Sequence, residues 1–247
     1  MIASTTVIDF HGHVGRWERL GVTDQGAGMV RAMDAVGIDR SCVFNIFHPD
    51  GRTGNDRTAS FVGQRPDRFI GFAYVSPLTA ETMLDELTRA VDRLGCRAIK
   101  LYAPYTSYRI NGLVWDPIYA FANSRRLAIL HHTDEAHSPA DLADAARRFP
   151  CARFVAAHSG NTGGARRLAI AAAQAYPNYY LETASTFRTP GVIEQLVAGA
   201  GAERVVFGSD TPLMDPRSQI GKIITADISD DAKRLILGEN ARRLLDL

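Results

Sequence analysis

Short apolar runs rich in Val, Ile, Phe and Ala alternate with longer helical patterns along the whole chain, at a spacing of roughly thirty residues. That alternation is the signature of repeated strand–helix units around a parallel sheet. The first strand is predicted at 7–13 (VIDFHGH), followed by a helix over 24–36 that Gly37 stops. A strand at 41–46 leads to a helix over 56–64, ended by Pro66. The strand at 69–75 leads to a helix over 80–94, where Gly95 supplies the C-terminal cap. Further strands are predicted at 97–102, 127–133, 153–158, 179–183 and 204–210. The intervening helices fall at 117–124, 139–149, 164–176 and 191–198, with helical segments running from the last strand to the C-terminus. Eight strands alternating with helices in this length predict a single (β/α)8 TIM barrel over residues 1–247, with any active site at the C-terminal ends of the strands. A doubly wound open sheet would more usually carry a glycine-rich phosphate loop after strand one, and HGHVGRW is not one.

Composition narrows the classes without changing the fold. Of 247 residues, 46% are hydrophobic and 22% charged, ordinary values for a globular protein with a substantial core. Lys and Arg total 28 against 27 Asp and Glu, so the formal charge is +1 and no strong field draws in nucleic acid or an anionic membrane. Three widely spaced cysteines, Cys42, Cys96 and Cys151, make neither a disulfide framework nor a zinc knuckle. No basic stretch or long apolar run opens the chain, and no 18-residue apolar run occurs, so neither a signal peptide nor a membrane span is expected. The expected setting is cytoplasmic, and the expected partner is a small molecule.

The histidines carry the chemical signal. All seven (His11, His13, His48, His131, His132, His137 and His158) fall at the C-terminal end of a predicted strand or in the loop just after it. In barrel enzymes that rim is where the active site is assembled. His11 and His13 are two apart on a strand and share a face, with room beside them at Gly12. Two imidazoles aimed at one point suit a divalent metal, zinc first, with manganese, iron or nickel as alternatives. A pair satisfied by hydrogen bonds in the core is the bland alternative. His131 and His132 are adjacent and must face opposite ways, and spacing does not choose between them. His158 closes strand six, where it could instead cap the next helix. Asp210 closes strand eight, where it could instead cap the segment before Pro212. A buried carboxylate there needs a metal or a hydrogen-bond partner. Asp9, two before His11, is placed to orient the ligands from behind.

Taken in order, VIDFHGHVG, LAILHHT, FVAAHSGN, VVFGSDTP and the closing ILGENARRLLDL resemble the amidohydrolase superfamily. The closer likeness is to the amidohydrolase-related branch that includes aminocarboxymuconate-semialdehyde decarboxylase and the resorcylate decarboxylases. The resemblance implies one divalent metal held by His11, His13, His132 and Asp210, with His131 left to packing or to supporting the ligands from behind. It implies His158 and Asp210 as the catalytic pair, and Asn240 in GENARRLL as a structural element. A homodimer is expected by the same analogy. Lys100 is read as a substrate-binding residue or the partner of an acid, in preference to the carboxylated, metal-bridging lysine of some superfamily members. The activity placed first is hydrolysis of an amide, lactone or ester by metal-activated water. Non-oxidative decarboxylation of a small aromatic or unsaturated acid is the alternative, and a non-catalytic barrel with a structural metal comes third. Arg16, Trp17, His48, Tyr102, Tyr105, Tyr108, Arg109, His137 and Arg188, on the loops above the rim, are the further candidates for substrate contact.

Overall fold

The computed structural model describes residues 5–16, 27–185 and 189–247. Eight parallel strands run in sequence order around one sheet: β1 (Ile8–His13), β2 (Arg40–Phe44), β3 (Phe69–Tyr74), β4 (Ala98–Leu101), β5 (Ala128–His132), β6 (Arg153–Ala157), β7 (Tyr179–Glu182) and β8 (Val205–Val206). The ring closes between its last and first strands. Phe10 N–H donates to Phe207 O (2.9 Å), Asp210 N–H to His11 O (2.8 Å) and His13 N–H to Thr211 O (2.7 Å), and Gly12 bridges Thr211. The predicted (β/α)8 barrel is the observed fold.

Among the described residues, eight principal helices wrap the ring: α1 (Ala27–Val36), α2 (Arg52–Gln64), α3 (Ala80–Asp92), α4 (Asp116–Arg125), α5 (Pro139–Arg148), α6 (Gly163–Ala175), α7 (Val192–Ala200) and α8 (Pro216–Ile224). Two short helices follow, α9 (Asp230–Arg234) and α10 (Asn240–Leu245). The period-2 alternation of each strand divides the core in two. Ile8, Phe10, Cys42, Phe44, Ile70, Phe72, Ala98, Ala128, Leu130, Val155, Ala157 and Val206 fill the interior. The intervening positions, among them Val43, Ile99, Leu101, Ile129, Phe154 and Leu181, face the helices. Ala241, Leu244 and Leu245 of α10 join the interior cluster and stop one end. Asn240 fixes that helix by donating its Nδ2 hydrogens to Ala202 O (2.7 Å) and Val205 O (2.6 Å). Among the described residues no helix is long and apolar enough to cross a membrane.

Two boundaries depart from the sequence reading for physical reasons. Helix α2 starts at Arg52, four residues before the predicted start, because Asp50, just ahead of the N-cap Gly51, accepts from Thr53 N–H and Oγ1 and Gly54 does not act as a breaker. A Cβ on Gly54 would lie 2.7 Å from Asn45 O, so this glycine permits close helix–strand contact. Strand β8 is shorter than 204–210 because its chain leaves the β7 ladder after Val206 and bonds to β1, which bulges between Asp9 and Gly12. The predicted first helix begins, within the described residues, at Ala27. Trp17 and Arg188, two of the substrate candidates, lie outside those residues.

Candidate active site

The end of β1 supplies His11 and His13, both buried, with ring centroids 5.3 Å apart. Asp210, four residues beyond β8, reaches both. Its Oδ1 lies 2.9 Å from His13 Nε2 and 3.4 Å from His11 Nε2. Asp210 sits in the left-handed region at φ 62°, a conformation Asp tolerates better than most residues, and its Oδ2 accepts from Ser185 Oγ (3.3 Å). Flanking imidazoles hold its carboxyl well below the usual range against the opposing effect of burial. His11 and His13 are pushed down, burial being the main cause. The cluster at neutral pH is therefore two neutral imidazoles and one carboxylate.

Asp9 lies behind this cluster rather than in it. Its carboxylate accepts from His11 N–H (3.0 Å), Ser41 Oγ (2.9 Å), Ser209 N–H (2.8 Å) and Ser209 Oγ (2.6 Å), which ties β1 to its neighbours on both sides. It braces the backbone of His11 and touches no imidazole; burial raises its pKa to about 7.

Strand parity settles the adjacent histidines. His132 continues the inward series Ala128–Leu130, while His131 packs edge-on to Trp115 in the outer layer and donates Nδ1–H to His132 O (3.0 Å). The His132 ring stands 4.9 Å from that of His158 and 4.8 Å from Tyr102. Its Nε2, however, is engaged by Asp134 Oδ2 at 3.1 Å, and Asp134 also accepts from His137 N–H and Nδ1. The structure thus brings His132 to the site without placing its nitrogen in the His11–His13–Asp210 group.

His158 follows β6 directly, at φ 63°, with its ring 5.0 Å from that of His11. Its Nδ1–H donates to Ala184 O (3.2 Å), and burial lowers its pKa to about 4, so the ring is neutral at pH 7. Lys100, on the inward face of β4, is 1% exposed, with Nζ 3.4 Å from His11 Nε2 and 4.9 Å above the Phe44 ring. No ion pair to Lys100 forms among the described residues, so the expected acidic partner is not in contact. Burial lowers its pKa to about 8, with Asp210 and Glu182 opposing.

Glu182 was not singled out in the sequence. It ends β7 on the same inward parity as Tyr180 and is fully buried, with Oε2 3.0 Å from His11 Nδ1. The signal was present in YYLET: an acid closing an apolar strand, the same mark that pointed to Asp210.

The loop candidates divide. Tyr102 is half-buried and meets both His132 and Tyr105, which is itself 43% exposed. Arg16 instead lines a cavity of about 850 Å³ with Asp56, Arg57 and Gln64 of α2, and none of the clustered histidines lines it. Arg109 forms a bidentate pair with Asp141 (2.7 and 3.0 Å) while its side chain stays largely exposed.

His131 gives a pH test of this packing. Burial lowers its pKa to about 3, so between pH 6.5 and 3 the unfolded chain binds a proton that the folded one does not. Stability is unaffected above pH 6.5 and falls as the pH drops through this window, by about 1.4 kcal/mol per pH unit from this residue. Urea titrations at pH 7, 5 and 4 should show a shallower acid loss for His131→Phe, and an unchanged slope would contradict the assignment.

The ring of eight strands gathers histidines and carboxylates at its C-terminal end, where His11, His13 and Asp210 could hold a metal ion. A sequence model of the amidohydrolase family matches residues 8–247, and the chain belongs to that family, in its amidohydrolase-2 branch. No curated protein matches the chain in sequence. Similar solved structures include 2,6-dihydroxybenzoate decarboxylase from Rhizobium, with TM-score 0.81 and 17% identity over 98% of this chain and 99% of that one. The 5-carboxyvanillate decarboxylase of Sphingomonas paucimobilis gives 0.78 and 15% over 99% and 100%. A dihydroxybenzoic acid decarboxylase from Polaromonas, solved with bound manganese and the inhibitor 2-nitroresorcinol, gives 0.78 and 17% over 99% and 98%.

Proposed function

We propose that this protein is a metal-dependent, non-oxidative decarboxylase of a small hydroxylated aromatic acid. The reading inverts the order expected from the sequence, where hydrolysis stood first. The observation that carries it is Lys100, a buried ammonium without an ion-pair partner among the described residues, beside the His11–His13–Asp210 cluster. A buried ammonium outside any ion pair is costly even with Asp210 and Glu182 nearby, and an anion arriving in contact with it relieves that cost. A substrate carboxylate or phenolate is such an anion. The names of the similar structures support the same chemistry, and manganese in one of them supports a divalent ion other than zinc.

The donor set fits a metal. His11, His13 and Asp210 each offer a ligand atom, all within 4.8 Å of one another and all on buried residues. Two imidazole nitrogens and a carboxylate oxygen suit Mn²⁺, Fe²⁺ or Zn²⁺. A divalent ion held there supplies Lewis-acid stabilisation of negative charge on the substrate's oxygens.

The remaining work falls to the chain. Lys100 holds the anionic end of the substrate beside the Phe44 ring, and Tyr102 stands next to His132 at the same rim. As the carbon–carbon bond breaks, carbon dioxide leaves, the electron pair stays on the ring carbon, and that carbon takes a proton. Asp210 relays it: the resting carboxylate takes a proton from the substrate's ring hydroxyl and passes it to the ring carbon, and the phenolate left behind regains a proton from solvent on release. His158, its Nδ1–H fixed on Ala184 O, keeps Nε2 available as the neutral base and hydrogen-bond partner opposite.

The test incubates the Mn²⁺-loaded and Zn²⁺-loaded enzyme with a set of hydroxybenzoates and, separately, with lactones and amides. Release of carbon dioxide from a hydroxybenzoate, with carbon-13 bicarbonate exchanged into the carboxyl group, is the expected result. Chelation should remove at least about 90% of turnover and re-addition of Mn²⁺ should restore it, since the ion supplies Lewis-acid stabilisation of the developing charge. Turnover of lactones or amides alone would return the assignment to hydrolysis.

A further inference from the structure

We propose that Glu182 is a positioning residue for the metal centre, holding His11 in the tautomer whose Nε2 lone pair faces the ion. The inference rests on the metal reading above and concerns a residue on a strand that supplies none of the proposed ligands.

The hydrogen bonds fix the direction of each proton. Glu182 Oε2 accepts from His158 N–H at 2.9 Å, and Oε1 accepts from Ala184 N–H. With both oxygens already receiving backbone donors, the carboxylate is an acceptor, and the 3.0 Å contact to His11 Nδ1 is a bond donated by the imidazole. An imidazole that donates from Nδ1 keeps a lone pair on Nε2. That is the nitrogen placed 3.4 Å from Asp210 Oδ1 and 3.4 Å from Lys100 Nζ. One carboxylate therefore sets the tautomer of His11 and anchors the backbone of His158, which enters the left-handed region at this point.

The fold makes room for this group. Gly208, between β8 and Asp210, faces the Glu182 carboxylate. A methyl group there would collide with that carboxylate and lie 2.9 Å from His11 Cβ. Glycine at 208 lets the acid sit directly beneath the ligand. His11, His158 and Glu182 also form a compact donor triad of their own, so a second ion is the competing role. The backbone donors on both oxygens of Glu182 favour the positioning role.

The test compares wild type, Glu182→Gln and Gly208→Ala. Gln has one acceptor oxygen, so its NH₂ faces either Ala184 N–H or the His11 side, where it forces the opposite tautomer. Gly208→Ala displaces the carboxylate while leaving every titrating group in place. Nitrogen-15 NMR of histidine-labelled, metal-free protein should show wild-type His11 protonated on Nδ1, and on Nε2 or exchanging in the variants. Mn²⁺ titration should show binding weakened about 10- to 100-fold in both variants. Activity lost at limiting Mn²⁺ should return at saturating Mn²⁺, which a residue acting on the substrate would not allow. Thermal unfolding of the metal-free proteins identifies any variant that fails to fold, and the other variant then carries the test. An unchanged His11 tautomer with unchanged Mn²⁺ affinity would overturn the proposal, and so would two ions per wild-type chain falling to one in Glu182→Gln. Should wild type bind no Mn²⁺, the metal reading fails, while the tautomer measurement still reports on Glu182 by itself.

Discussion

Asp210→Asn should lower kcat for carbon dioxide release by about a thousandfold or more, the usual combined scale of losing a proton-transfer group and an anionic donor. Asp210 offers Oδ1 to both His13 and His11, so one substitution removes the charged ligand and the acid together. Asn is the informative replacement. It tolerates the left-handed backbone at φ 62°, and its amide still accepts from Ser185 Oγ, so the fold should persist. The resting carboxylate is held charged far below neutral pH, and the neutral amide cannot take that role at any pH used. Steady-state kinetics at saturating Mn²⁺, with circular dichroism as the folding control, make the measurement. A variant retaining a tenth of wild-type kcat would remove Asp210 from the chemistry.

The second large effect is expected at Lys100. Replacement by Met keeps an unbranched apolar chain and removes the ammonium that stands over the Phe44 ring. A charged hydrogen bond to the substrate is worth about 1.5–3 kcal/mol, so KM for a hydroxybenzoate should rise by roughly 10- to 100-fold. The metal-free protein should be no less stable than wild type, because a buried ammonium without an ion-pair partner among the described residues is replaced by an apolar chain of similar volume. A raised KM with an unchanged or higher melting temperature would mark Lys100 as a substrate-binding lysine. A fall in melting temperature with KM unchanged would show that Lys100 serves packing.

Those two residues show how far the sequence carried. His11, His13, His158 and Asp210 were legible because each closes a strand, and a strand's alternation sends the closing side chain to a known face. The same alternation separates His132 from His131 once the register is fixed, but in the sequence either could have been the inward one. Glu182 carries the same mark as Asp210, but its strand lies outside the motifs that resemble the family. Asp134, which holds His132 through Nε2, lies in a loop whose path no periodicity encodes. Arg109 and Arg16 look alike in the sequence, yet one is locked to Asp141 and the other lines a separate cavity. Tertiary pairing of charged loop residues depends on which helices come together, and local pattern does not report it. The barrel itself was readable because strand and helix periods alternate; Gly54 obscured a helix start because its reason is a contact with Asn45.

The most direct test is a crystal structure of the Mn²⁺-loaded protein with anomalous diffraction at the manganese edge. One strong peak bounded by His11, His13 and Asp210 is expected, with His132 joining only if its Nε2 has left Asp134. A peak elsewhere, or none with Mn²⁺ shown to be bound in solution, would contradict the metal centre on which the proposed chemistry depends.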